Sequence, residues 1–167
     1  MTIPRPADAN RPRLALLLRR AWYGLNQTFR RRIAHTGVTP DQFTILRWLT
    51  EHSEGITQRA LADLMASDAN TITAILTRMQ KAGLVERRSH ERDARCNLIV
   101  LCDAGKMLHA RLQPLASELQ RELLAAVPAA THDAFLRQLE EVCKALDGDE
   151  PSTPTKRRAK RPGKSES

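Results

Sequence analysis

Long apolar runs are absent from this 167-residue sequence; the run nearest the N-terminus, Leu14 to Leu18, is bracketed by Arg13 and Arg19. A bilayer crossing needs ~20 apolar residues, and a secretory leader needs a longer apolar stretch with a small-residue cleavage site behind it. The expectation is a cytoplasmic protein with no membrane partner. Cysteine is scarce: Cys96, Cys102 and Cys143 are odd in number and have no paired spacing, which excludes a disulfide framework and a zinc ribbon. If Cys96 and Cys102 flank a strand they lie about 20 Å apart, beyond disulfide reach. All three are expected as small buried hydrophobes. Glycine is sparse as well, with seven in all. No glycine-rich phosphate loop, nucleophile elbow or catalytic Ser, His and Asp pattern is present, so neither an enzyme nor a cofactor is expected. His35, His52, His90, His109 and His132 are scattered without helical pairing, so no metal site is expected. Acidic residues are in deficit, 19 against 27 basic, and the net charge of +8 favours an anionic partner, nucleic acid or a membrane surface, without deciding between them.

What is present fits one ordinary core with appendages. Residues 1–12, with Pro4, Pro6 and Pro12, read as a disordered N-terminal arm, and residues 149–167 as a disordered basic tail lacking Leu, Ile, Val and Phe. Between them, residues 13–148 read as one domain dominated by helical periodicity. Leu14, Leu18, Ala21, Leu25 and Phe29 mark a first long helix to about Ala34, whose other face is arginine-rich. After Gly37, Thr39-Pro40-Asp41-Gln42 is a capping box opening a helix through Phe43, Leu46 and Leu49. Thr57 is expected to cap a short helix with Leu61, Leu64 and Met65 inward. Ser67, followed by Asp68, is expected to cap the next, with Ile72, Ile75, Leu76 and Met79 inward and Gly83 as its stop. So short a connection makes the pair a helix-turn-helix.

The period then changes to that of strands. Leu84 to Arg88 and Asn97 to Leu101 are β-prone runs joined by the charged loop Ser89 to Cys96, which predicts a hairpin. Leu108, Leu112, Leu115, Leu119 and Leu123 follow as a long helix from near Asp103, with Pro114 as an expected kink. A last helix runs from about Ala130 to Leu146, with Phe135, Leu139, Val142, Cys143 and Leu146 inward. The fold class is therefore mainly α with a small β-hairpin wing: a winged helix-turn-helix at about 38–102, flanked by dimerisation helices at about 13–35 and 103–147. Its second short helix suits the major groove, and an arginine-tipped hairpin can reach the adjacent minor groove. The outward face of that helix offers Asp68, Asn70, Thr71, Thr73, Thr77 and Arg78, while Gln58, Arg59 and Arg78 are placed to clamp phosphates.

The segments Thr57 to Ala62, Ile72 to Val85, Arg92-Asp93-Ala94-Arg95 and Leu101-Cys102-Asp103-Ala104-Gly105 resemble the MarR family of bacterial transcriptional regulators, over roughly residues 13 to 147. The resemblance implies base contacts from Ser67 to Thr73, a wing held by Asp93 pairing with Arg95, and Arg95 or Arg92 in the minor groove. The DNA-facing set is thus Thr57, Gln58, Arg59, Ser67, Asp68, Asn70, Thr71, Thr73, Arg78, Arg92, Asp93 and Arg95. Ala74 stands where some members carry a basic residue. Cys102 replaces the usual Thr, leaving Asp103 or a backbone group to cap the long helix. The function implied is a homodimeric repressor on a pseudo-palindromic double-stranded DNA operator. The broad apolar stripes of the first and last helices, which one winged domain cannot bury, support the homodimer. Release by a small aromatic or phenolic effector is also implied, with Trp22, Phe29, Phe43, Arg47, Trp48 and His109 as the residues positioned to line its cleft. The alternatives are a winged-helix interaction or RNA-binding module without operator specificity, and a cysteine-based redox-responsive regulator.

Overall fold

A computed structural model describes residues 13–90 and 93–147 of the chain. The expectations for residues 1–12, Arg92 and residues 149–167 lie outside the described residues, and the Asp93 to Arg95 pairing lies outside the described side chains. Two compact units divide between Glu122 and Leu123.

The first unit holds the site. Helix α1 (Leu14–Ile33) ends in a short 3-10 turn, Ala34–Thr36, and α2 (Pro40–Glu51) opens on the expected capping box, with Thr39 and Gln42 exchanging side-chain and backbone bonds. A two-residue strand β1 (Ile56–Thr57) leads into α3 (Gln58–Leu64), followed by α4 (Ala69–Lys81). The hairpin is β2 (Val85–His90) and β3 (Asp93–Leu101), and α5 (Asp103–Leu124) leaves from its end. The sheet is antiparallel in the order β1-β3-β2, with Ile56 opposite Ile99 and Ile99 opposite Arg87. Strand β1 has no signature in the sequence, because two residues cannot display a period of two.

The apolar periodicities converge on two adjoining cores. Ile45, Leu46 and Leu49 of α2 meet Leu61, Ile72, Leu76, Met79 and Ile99 beneath the helix pair. Phe29 and Ile33 of α1 meet Phe43, Leu112 and Leu119 in the other. Each such side chain contributes about 1.5–3 kcal/mol by leaving water, so these contacts rather than helix propensity hold the short α3 in place. Helix α5 runs unbroken through Pro114.

Two glycines carry specific geometry. Gly83 takes φ +68°, and the bonds Gly83 N to Gln80 O and Leu84 N to Met79 O close α4 in a Schellman turn that throws the chain into β2. Gly105 lies where α5 passes the hairpin base: a Cβ there would stand 2.2 Å from the Leu84 carbonyl oxygen. The same carbonyl accepts the Cys102 N–H at 3.0 Å, so wing base and α5 are held face to face.

In the second unit, a 3-10 turn (Ala129–Thr131) precedes α6 (His132–Asp147). The expectation that Phe135, Leu139, Cys143 and Leu146 point inward is corrected: each is exposed in the single chain, because no element of its own unit covers them. Cys143 is therefore exposed in the single chain, not buried as expected. Cys102 is half-buried, and burial raises its thiol above the ordinary range, away from thiolate reactivity.

Candidate nucleic-acid interface

The polar face of the helix pair is set by its caps. Thr57 accepts the Ala60 N–H at 3.1 Å and starts α3. Helix α4 is capped by Asp68 and not, as expected, by Ser67. The Ser67 N–H closes the end of α3 on the Ala62 carbonyl at 3.0 Å, while Asp68 Oδ1 accepts from Asn70 N and Thr71 N at 3.0 and 2.9 Å. A carboxylate also suits the positive end of the helix better than a hydroxyl. The Thr71 hydroxyl donates to Asp68 Oδ2 at 2.6 Å, and this bond is the leading reason that the Asp68 carboxyl is held below its ordinary range. Thr57 and Asp68 thus serve first as helix caps.

With Ile72, Ile75, Leu76 and Met79 buried, the 3.6-residue period turns Asn70, Thr73, Ala74, Thr77 and Lys81 to the opposite side, where all are exposed. Thr73 and Thr77 donate their hydroxyl protons to the carbonyls of Ala69 and Thr73, and Arg78 Nε donates to Ala74 O at 3.2 Å. Among the described residues the Asn70 amide has no partner, so it alone on this stripe presents a full donor and acceptor pair. Lys81 shares the stripe and was not singled out from the sequence, although the same i, i+4, i+7 and i+11 spacing from Asn70 carries it.

Gln58, expected as a phosphate clamp, is engaged within the chain. Its Nε2 donates to Thr73 Oγ1 at 2.7 Å, and its Oε1 accepts from an Arg87 NH2 group at 3.0 Å. Arg87 was also missed. Residues opposite one another share a sheet face, so Arg87 lies in the row of buried Ile99 and Ile56 and reaches toward the helices. The alternation from buried Val85 two residues earlier was the available signal. Arg59 is exposed, with no partner among the described residues. Beyond Arg87 the wing continues with exposed Arg88, whose Nε meets Glu86 at 2.6 Å, toward the tip.

The six residues expected to line an effector cleft separate into groups. Phe29 and Phe43 pack edge to face at 4.9 Å between ring centroids, and His109 stacks on Phe43 at 5.6 Å. Arg47, one turn beyond Phe43 on α2, is exposed and bonds Glu51 at 2.9 Å. Burial first, and then the charge of Arg47, hold the His109 imidazole below its ordinary range. His109 Nε2 and Gln113 Oε1, one turn apart on α5, are enclosed and lack a hydrogen bond of ordinary geometry among the described residues, although Gln113 is near enough to oppose slightly the lowering of the imidazole. Trp48 instead packs on the core beneath the helix pair and tilts against His52. Trp22 is 63% exposed in the single chain, away from this cluster. Among the described residues no group of His, Cys, Asp and Glu is placed to hold a metal, and no helix is long and apolar enough to cross a membrane.

Residues 38–97 match the model of the MarR family. The chain is similar to the transcriptional regulator HosA of Escherichia coli, 26% identical over 126 residues that cover 72% of this chain and 93% of that protein. Its fold is similar to a probable transcriptional regulator from Pseudomonas aeruginosa, at 28% identity and a TM-score of 0.71, covering 78% of this chain and 97% of that one. It is also similar in fold to the S. aureus MepR-DNA complex, at 19% identity and a TM-score of 0.73, covering 80% of this chain and 98% of that one. The chain thus carries a MarR-family winged helix-turn-helix at residues 38–97 and is similar, over most of their length, to transcriptional regulators.

Proposed function

We propose that the chain acts in the cytoplasm as a homodimeric repressor that inserts α4 into the major groove of a pseudo-palindromic operator and lays its wing along the neighbouring minor groove. The observation that carries this is the exposed stripe from Asn70 to Lys81 on a capped helix, with Arg59 and the β2–β3 arm beside it in the same compact unit. Asn70 is the base-reading residue: its amide matches the paired donor and acceptor of an adenine edge. Ser67, Thr71 and Arg78 border the groove, Arg59 and Lys81 meet phosphates, and Arg92, Asp93 and Arg95 form the wing contact. No catalytic step is assigned to the protein.

A second copy is called for by apolar surface that the single chain leaves in water: Leu14, Leu17 and Leu25 on α1, and Phe135, Leu139 and Leu146 on α6. Two-fold pairing through these helices sets the recognition helices about one turn of duplex apart. The effector is a small aromatic or phenolic molecule seated against Phe43 and His109, with Phe29 behind them and Arg47 at the mouth. The enclosed His109 Nε2 and Gln113 Oε1, unsatisfied among the described residues, offer it polar partners.

Selection of bound fragments from random duplex DNA tests the whole reading. Recovery of an inverted repeat, bound with a steep salt dependence, is the expected result. Equal binding of duplex, single strand and RNA hairpin would replace it with a module lacking operator specificity.

A further inference from the structure

Gln58 is the first residue of α3, Thr73 lies on the outward face of α4, and Arg87 lies on β2. Three elements that the chain separates thus meet in two hydrogen bonds to one side-chain amide, at 2.7 and 3.0 Å. We infer that Gln58 is a positioning residue: it ties the wing to the recognition helix at a set angle, with Thr73 and Arg87 as the two ends of the tie. This rests on the duplex-binding reading above.

The geometry explains why such a tie matters. A helix in the major groove and a hairpin in the adjacent minor groove must reach two places whose separation the duplex dictates. The hairpin leaves α4 through the Gly83 turn and is held at its base by the Leu84 carbonyl and by buried Val85. Two residues further out, Arg87 carries a bond back to the helices, and beyond it Arg88 and Ser89 are exposed. The amide suits this place because it donates to a hydroxyl and accepts from a guanidinium at once. The Thr73 hydroxyl, which donates to Ala69 O while accepting from Gln58, is correspondingly withdrawn from base reading.

The test is a double-mutant cycle on a selected operator at one salt concentration, with Gln58→Ala, Arg87→Met and the pair together. Hydroxyl-radical footprints are taken at saturating protein, and thermal melts establish that each variant is folded. Each single change should weaken binding about fivefold, the equivalent of one net hydrogen bond. The double variant should be no weaker than the weaker single, and protection at the minor-groove flanks should fade while the central protection remains. Costs that multiply, or flank protection that is unaltered, would overturn the inference. Gln58→Glu supplies an independent arm, since it keeps an acceptor for Arg87 but repels phosphate. It should bind better than Gln58→Ala, and the reverse order would assign Gln58 to the phosphates instead. Failure of the unaltered, folded protein to bind any duplex would remove the duplex-binding reading itself, which sets that failure apart from a failure of the tie alone.

Discussion

Gly105→Ala probes the contact by which the wing base and α5 hold each other. The added Cβ would stand 2.2 Å from the Leu84 carbonyl oxygen and 3.1 Å from Leu101 Cδ2, whereas ordinary contact begins at 3.4 Å. The obstacle is backbone, so α5 or the hairpin base must retreat by about 1 Å, and the Cys102 N–H to Leu84 O bond at 3.0 Å is disturbed with it. Overpacking of this kind costs about 3 kcal/mol, and the disturbed bond adds about 1 kcal/mol. The helix preference of Ala over Gly returns about 1 kcal/mol. The net loss is therefore about 3 kcal/mol, a hundredfold or so in the folding equilibrium. With an m-value of about 2 kcal/mol/M, the urea midpoint should fall by about 1.5 M, measured at one protein concentration because dimerisation contributes to apparent stability. If Gly105→Ala melts with or above the parent, the close approach does not exist in solution.

Asn70→Ala should cost about 1–3 kcal/mol of operator affinity and relax preference at one base position. Arg59→Ala should weaken all duplexes alike and reduce the salt slope by about 1; a uniform loss for Asn70 would refute its base-reading role. Because the Asp68 carboxyl is held below its ordinary range chiefly by Thr71, the native state favours its ionised form. Its contribution is in place above the ordinary carboxylate range and is lost as pH falls through the lowered native value. Asp68→Asn should therefore flatten the acid limb of the stability profile, and identical limbs would dismiss the cap. Leu139→Glu places an unpaired carboxylate on the apolar side of α6 in each copy and should weaken association by about a hundredfold or more. Sedimentation showing an unchanged dimer would mean that α6 is not part of the interface.

Periodicity and local chemistry were sufficient for the elements themselves. The capping box at Thr39, the Gly83 stop and the leucine spacing of α5 each act within a few residues, so six helices and a hairpin were legible in their order before any of them was placed. The cap of α4 fell one residue from its expected place because Ser67 and Asp68 are both competent. The choice depended on where α3 had to close, a matter of how two helices meet at the turn. The partner of Gln58 is a still longer-range question. Its amide finds Thr73 and Arg87 only after β3 has been sandwiched between β1 and β2, and β1 is too short to announce itself. Gly105 is similar: that a glycine stood there was legible, but the Leu84 carbonyl that requires it was not. Tertiary structure likewise separated Trp22 and Trp48 from the Phe29, Phe43 and His109 cluster, since helical spacing gives a side chain's direction on its own helix but not what stands opposite. Interactions within a turn are set by the covalent neighbours present in any conformation; contacts between elements exist only once both have been placed.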